Sequence, residues 1–462
     1  MNKKKGPTGA WRGLTAVFAA LLALVVGATF IAQANAAIIN TRLGITNYKI
    51  VDKADGERVD SIYFKSEFDS LSDLIAAKDA LAAEIASEGA VLFKNLNQTL
   101  PLDTSSEQVT LWGLNSVNPT LGGKIGSSVY VNADAGQAQY DLVASLQARG
   151  FSLNQTMLSF YQQEDMTAAY GRKSGHSLTP SFGKIYENPN GYCVGEAPAS
   201  VYTDDVLASA DGTAAVVVFS RDSSEAADYN PSMQSVANGK KTENVDRYDR
   251  PLALSDNEKA VLEMAKAHSS KVIVLINANN PIEIEELKND EAVGAILWVG
   301  EPGANGFLGV ADVLSGAVNP SGHIPDTYAV RSDSAPSMVN FGVYLYTNNS
   351  QSGTGDVLGE DDKGDWYLVE SEGIYNGYKY YETRYEDSVL GQGNASDAAG
   401  SVNAAWNYAD EVSYPFGYGI SYTTFEQKLT GVELEVGGAG KATVTVTNTG
   451  DVAGKSVAQL YV

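Results

Sequence analysis

The hydrophobic positions of this chain change period several times. Gly13 to Ala32 is an uninterrupted uncharged run that, as a helix, rises about 30 Å, the thickness of a bilayer's hydrocarbon core. From Ser72 to Ser87, Leu74, Ile75, Leu81 and Ile85 fall near helical spacing, and Ala90 to Phe93 follow Gly89 as a short apolar run, so the pattern predicts helix, turn and strand. Val109 to Trp112 reads as a second strand, and Leu142, Val143 and Leu146 lie on a helix stopped by Gly150, a usual cap residue. Ala214–Phe219, Val272–Ile276 and Val293–Val299 are apolar at consecutive positions, and Ser255 with Glu258 forms a capping box ahead of Val261, Leu262 and Ala265. Strands apolar on both faces and separated by amphipathic helices predict an α/β fold, a mainly parallel sheet covered by helices on each side.

Beyond about Val330, Gly, Asn, Ser and Tyr are in excess. The acidic cluster Glu360-Asp361-Asp362 lacks EF-hand spacing and reads as a solvated loop. From Lys441 the chain alternates as Ala442-Thr443-Val444-Thr445-Val446-Thr447 and turns at Asn448–Asp451. A second strand is predicted at Val457–Val462, the opening of a β-sandwich that stops in mid-strand.

Charge sharpens this outline. Lys3, Lys4, Lys5 and Arg12 precede the apolar run and Ala32-Gln33-Ala34-Asn35-Ala36 follows it, so a cleaved signal peptide competes with a retained membrane anchor over residues 1–37. Either way the positive flank stays inside and the rest of the chain is expected to be extracytoplasmic. The net charge of −24 opposes binding to nucleic acid, which is driven by phosphate neutralisation. A single cysteine, Cys193, excludes an internal disulfide, and with three histidines no zinc spacing occurs, so neither metal nor cofactor is expected.

In open α/β sheets ligands gather beyond the carboxyl ends of the strands. After Phe219 comes Ser220-Arg221-Asp222-Ser223-Ser224-Glu225-Ala226-Ala227-Asp228. Three carboxylates on a strand-end loop suit acid/base work, and the same composition suits a plain solvated loop. No G-x-S-x-G elbow occurs, His176, His268 and His323 have no triad context, and His268 reads as a cap in a helix's last turn. Gly303-Ala304-Asn305-Gly306 lacks phosphate-loop spacing, which leaves a tight turn opening a helix and argues against a nucleotide-binding protein.

Four ordered segments carry a family resemblance: Glu88–Asn95 with Leu100-Pro101-Leu102; Gly303 to Pro325, including Ala311-Asp312-Val313-Leu314 and Asn319-Pro320-Ser321-Gly322; Gly373 to Tyr381; and Tyr414-Pro415-Phe416-Gly417-Tyr418-Gly419-Ile420-Ser421-Tyr422-Thr423-Thr424-Phe425. Together they resemble glycoside hydrolase family 3, specifically its α/β sandwich domain and the fibronectin-III-like module after it. The resemblance implies a retaining β-glucosidase-like or β-xylosidase-like enzyme acting on an oligosaccharide or β-glycoside. It takes an aspartate nucleophile from a (β/α)8 barrel and an acid/base residue from the α/β domain. The Ser-Arg-x-x-x-Glu-x-x-Asp loop gives the acid/base role to Glu225, with Arg221 and Asp228 orienting the loop or contacting sugar hydroxyls; Ser224 and Ala226 stand where relatives place glycines.

The barrel motifs are missing, Gly364-Asp365-Trp366 being only a partial look-alike of the nucleophile segment. The order therefore resembles family members with the α/β domain first and the barrel downstream. The implied layout is an extension over 38–87, the α/β domain over 88–345, a Tyr/Gly-rich connector over 346–425 and a truncated fibronectin-III-like domain over 426–462. A non-catalytic carbohydrate-binding or surface protein built on the same domains is the alternative, to which the 25 tyrosines lend support through stacking on sugar faces.

Overall fold

The computed structural model describes residues 8–36, 39, 66–122, 140–172, 194–221, 236–237, 240–241, 250, 252–338, 345–346, 365–366, 370, 372–395, 405–435 and 437–460. Glu225, Asp228 and the acidic cluster at 360–362 lie outside these residues. The chain divides into two compact units, Met1–Asp69 and Ser70–Val462.

In the first unit, α1 (Thr8–Ala34) contains the span Trp11–Ala34, 24 residues with a mean hydropathy of 2.5. Its large apolar side chains are exposed, among them Leu22, Leu24 and Phe30. A helix apolar all round and unburied matches the expected signal or anchor segment, not a core helix.

The second unit begins with α2 (Leu71–Gly89), where Ser70 Oγ accepts the Asp73 amide at 3.1 Å as the N-cap. Its six-stranded sheet comprises β1 (Val91–Asn95), β2 (Gln108–Trp112), β3 (Ser152–Leu153), β4 (Ala214–Arg221), β5 (Lys271–Ala278) and β6 (Ala295–Trp298), in the spatial order β1-β6-β5-β4-β2-β3. All neighbouring pairs are parallel except β1 with β6, which is antiparallel. The expected parallel sheet therefore carries one antiparallel edge strand, as many doubly wound sheets do.

The sheet separates two cores because side chains alternate across it. Ala215, Val217 and Phe219 face α4 (Gln155–Tyr161) and α5 (Asp256–His268) in one cluster. Ala214, Val216 and Val218 face α3 (Leu142–Ala148) and α6 (Phe307–Leu314) in the other. All eight residues of β4 are buried, which accounts for its lack of polar alternation. Helix α3 ends as expected, with Gly150 at φ +82°. On the outside, α2 rests on α6 so closely that a Cβ on Gly309 would lie 1.9 Å from the Ala83 carbonyl oxygen.

The segment most similar to the family covers the open edge of β1. Ile420 bridges Leu92 antiparallel, its amide donating to the Leu92 carbonyl at 2.9 Å. Tyr418 donates its hydroxyl to the Phe93 carbonyl at 3.2 Å, and the Tyr414 and Tyr328 rings lie 4.7 Å and 4.8 Å from the Phe93 ring. Asn319 accepts from Ser421 Oγ and the Tyr422 amide, fastening the two diagnostic motifs together. These motifs close an edge strand that would otherwise present unpaired backbone groups.

The carboxyl-terminal part corrects one expectation. A two-stranded antiparallel hairpin pairs β7 (Phe425–Leu434) with β8 (Gly440–Asn448), with a register shift between Leu429 and Gly431. The strand expected from Val457 is not formed among its described residues, 457–460. Period-2 alternation makes a strand only where a partner supplies the ladder, and Val457 instead accepts a bond from Gln427 Nε2 on its carbonyl.

Candidate functional site

The carboxyl ends of β2, β4, β5 and β6 form one edge of the sheet, and polar residues gather where the apolar runs stop. Arg221, the last residue of β4, does not reach a surface. Its side chain is fully buried and forms two bonds with Glu258, Nη1 to Oε1 at 2.6 Å and Nη2 to Oε2 at 2.9 Å. It also donates to the Ser220 and Ala253 carbonyls. This corrects the expectation that Arg221 touches substrate hydroxyls: a guanidinium enclosed by a carboxylate and two carbonyls has no path to a sugar. Of the two roles expected for it, holding the base of the loop is the one compatible with its burial.

Glu258 acts twice. The capping box is present, with the Glu258 amide on Ser255 Oγ at 3.1 Å and the Ser255 amide on Glu258 Oε2 at 2.8 Å. The carboxylate that starts α5 thus also neutralises the arginine that ends β4, and the chain segments 220–221 and 253–258 meet at one buried charge pair.

Asn277, fully buried one residue before the end of β5, links the neighbouring strand ends. Its Oδ1 accepts from Ser220 Oγ at 2.8 Å and from the Thr120 amide at 2.7 Å, and its Nδ2 donates to the carbonyls of Thr120 at 3.0 Å and Gly300 at 2.6 Å. Beyond β2, the buried Glu196 accepts the Leu114 amide on both oxygens at 2.9 Å and the Ala197 amide at 2.8 Å. Tyr161 accepts the Gly113 amide and shares a 2.7 Å hydroxyl contact with Tyr202; burial, reinforced by the Glu196 charge, pushes the Tyr161 phenol far above its ordinary range. Burial therefore favours its neutral, hydrogen-bonding form.

These contacts fix the end of β4, four residues before Glu225 in the sequence; Glu225 and Asp228 themselves are outside the described residues. Gly303–Gly306 turns into α6 as the non-phosphate reading expected. His268 sits in the last turn of α5 with Nδ1 2.6 Å from Asp211 Oδ1. Sequence reasoning missed Glu258 as a charge partner, Asn277 and Glu196. Asn277 was findable, since it is the first polar residue after an apolar run, whereas Glu196 has no local signal.

The comparisons with known proteins agree with this architecture. Residues 90–422 match the model of the glycosyl hydrolase family 3 C-terminal domain. Beta-glucosidase A of Butyrivibrio fibrisolvens is 29% identical over 413 residues, which cover 82% of this chain and 41% of that protein. A beta-glucosidase of Ruminococcus albus is 28% identical over 386 residues, 82% of this chain and 32% of that protein. Among solved structures, a beta-glucosidase from Paenibacillus barengoltzii superposes with a TM-score of 0.55 at 28% identity, covering 81% of this chain and 33% of that one. The chain spans less than half the length of these relatives. With the family model matching well over half its residues and the same α/β sheet in the structure, the chain belongs to glycosyl hydrolase family 3, through that family's C-terminal domain.

Proposed function

We propose that this chain supplies the acid/base side of a retaining glycoside hydrolase that cleaves β-glucosides or β-xylosides outside the cytoplasm, with Glu225 as the acid/base and a barrel aspartate as the nucleophile. The observation that carries the reading is the buried Arg221–Glu258 pair, which fixes the end of β4 directly before the family-like loop. A general acid must be held at a defined point beside the departing oxygen, about 5 to 5.5 Å from the nucleophile carboxylate in retaining enzymes, and a strand end fixed by a fully buried charge pair four residues before Glu225 supports that reading.

In the first step Glu225 gives its proton to the glycosidic oxygen while the aspartate attacks the anomeric carbon. The leaving alcohol departs and a glycosyl-enzyme remains. In the second step Glu225, now ionised, takes a proton from water, whose oxygen attacks the same carbon and frees the aspartate. Asp228 is assigned to sugar hydroxyls or to the loop's own order. The apolar α1 supports delivery to or across a membrane, as signal or anchor.

The test is Glu225→Gln in an enzyme assembled with the barrel. Hydrolysis of natural glycosides should fall far more than that of aryl glycosides with good leaving groups, because only the former need protonation. Equal, small effects on both would move the role to another carboxylate, Asp222 or Asp228 first.

A further inference from the structure

A second polar cluster on the same sheet edge has no part in the acid/base step. Asn279, directly after β5, donates from Nδ2 to Glu301 Oε2 at 2.7 Å and accepts the Glu301 amide on Oδ1 at 3.2 Å. Thr120 Oγ1 donates to the other carboxylate oxygen, Oε1, at 3.2 Å. Glu301 is thereby held in one orientation, whereas an unrestrained surface glutamate samples many rotamers.

Glu301 and Asn279 stand at the rim of a cleft of about 350 Å³, within the range of small-molecule sites. Its walls are apolar: Trp298 and Pro302 on the sheet side, Ala86 and Ile85 on α2. Trp298 is half-buried and fixed by its indole N–H, which donates to the Ala278 carbonyl at 2.6 Å. At Gly300, φ is +59° and a Cβ would lie 3.1 Å from a Trp298 ring atom, so glycine lets the chain fold over the indole and bring Glu301 to its edge. Ile85 is 64% exposed, leaving the mouth accessible.

We propose that this cleft is a saccharide-binding subsite, taking one pyranose ring of a β-glycoside with its C–H face along Trp298 and two adjacent hydroxyls on the oriented Glu301–Asn279 pair. The alternatives fit less well. A phosphate or carboxylate ligand would have to approach the Glu301 carboxylate, and none of the described residues lining the cleft carries a positive charge. A purely apolar ligand would strip water from a carboxylate and an amide and return nothing. A pyranose presents both kinds of surface at once, and a carboxylate has about four lone-pair sites, enough to accept from a sugar while held from behind. β6 lies two strands from β4, so at a strand spacing of about 4.8 Å the subsite is on the order of 10 Å from the point where the Glu225 loop departs. The inference rests on the glycosidase reading for its choice of ligand class but uses none of the catalytic residues.

The experiment is titration of the full chain with cellobiose and with methyl β-D-glucopyranoside, by calorimetry and tryptophan fluorescence. Millimolar binding is expected, with Glu301→Gln weakening it about tenfold or more through loss of charge-assisted bonds. Ile85→Arg, an exposed change that fills the mouth, should weaken it similarly while the melting temperature stays put. Saturable binding that both variants weaken establishes the subsite even if Glu225→Gln leaves hydrolysis unaltered. No binding of either sugar, or binding that neither variant alters, removes the subsite and leaves the Glu225 assignment standing on its own test.

Discussion

Arg221 and Glu258 join the last residue of β4 to the first turn of α5 through a bidentate ion pair in which neither side chain is exposed to solvent. Burying two charges is costly, and the pair is sustained because the remaining donors and acceptors are also satisfied, by the Ser220 and Ala253 carbonyls on one side and the Ser255 amide on the other. Its value lies in geometry: it joins the last residue of β4 to the start of α5.

Breaking one half of this pair should be severe. Arg221→Met leaves a buried carboxylate without its partner and should cost about 3–5 kcal/mol in denaturant unfolding. Arg221→Lys should recover little, because an ammonium cannot reproduce the planar fork. Arg221→Met combined with Glu258→Gln should be milder than Arg221→Met alone, since glutamine keeps an acceptor for the Ser255 amide and removes the stranded charge. A double variant as unstable as the sum of the singles would mean that charge compensation is not what holds this junction.

The α2–α6 contact gives a second prediction. The atoms facing Gly309 are backbone, the Ala83 carbonyl oxygen at 1.9 Å and the Ser87 amide nitrogen at 2.9 Å from a Cβ placed there, so no side chain can swing aside. Gly309→Ala must push the helices apart and should cost at least the ~1–3 kcal/mol typical of overpacking. Gly89→Ala, at the end of the same α2, meets nothing within 4 Å and should be neutral or slightly stabilising. Thermal melts of the two variants should separate clearly.

Asp103 gives a prediction in pH. Hydrogen bonds from the Ser105 and Ser106 hydroxyls and the Ser105 amide hold its carboxyl down to about 2. A carboxylate depressed in the folded state contributes stability that is fully present above its ordinary value near 3.8 and is lost as pH falls through about 2. Ser105→Ala should raise the titration midpoint of the Asp103 carboxyl carbon, followed by NMR, toward that ordinary value. An unchanged midpoint would show that these bonds do not set it.

What the sequence disclosed follows from what each signal depends on. Ala214–Phe219 and Val272–Ile276 were legible because a strand buried on both faces must be apolar at every position. The Ser255 capping box was legible because its partners are three residues apart. Its second function was not, since Arg221 lies 37 residues from Glu258 and only the fold unites them. β7 went unread because its sequence, FEQKLTGVEL, is nearly all exposed and its alternation breaks at the Leu429/Gly431 register shift. The family-like Tyr414–Phe425 segment was conspicuous for a reason other than chemistry: its tyrosines and glycines seal the β1 edge, with Gly419 so close to the Gly322 carbonyl that a Cβ would sit 2.1 Å from it. Recognition thus rested largely on packing motifs, while Glu225 was reached through the resemblance of its loop.

The apolar α1 predicts the compartment. A helix with a 24-residue span and mean hydropathy of 2.5, preceded by Lys3, Lys4 and Lys5, should place the rest of the chain outside the cytoplasm. A reporter active only after export, fused after the last residue, should be active, and deletion of residues 1–37 should silence it. A reporter that works only in the cytoplasm being active at that position would contradict this orientation.

The last prediction separates binding from turnover. A retaining mechanism needs two carboxylates on opposite sides of the scissile bond, and the family resemblance assigns one of them, Glu225, to this chain and the other to a barrel. General acid catalysis alone contributes about 10²- to 10⁴-fold, far below the enhancement glycoside cleavage demands, and a lone acid cannot form the glycosyl-enzyme. The purified chain should therefore melt cooperatively, since two cores on either side of a six-stranded sheet provide a folded body, and yet release no nitrophenol from aryl β-glucosides or β-xylosides. Adding a barrel in trans or in cis should restore release, and Glu225→Gln should spare the first-turnover burst of nitrophenol from these activated substrates while slowing steady-state release, because deglycosylation also needs Glu225 as base. Turnover by the chain alone that survives repurification and disappears on substituting a carboxylate within it would place the nucleophile here instead, with Glu301, already oriented by Thr120 and Asn279 on the same sheet edge, as the first residue to test.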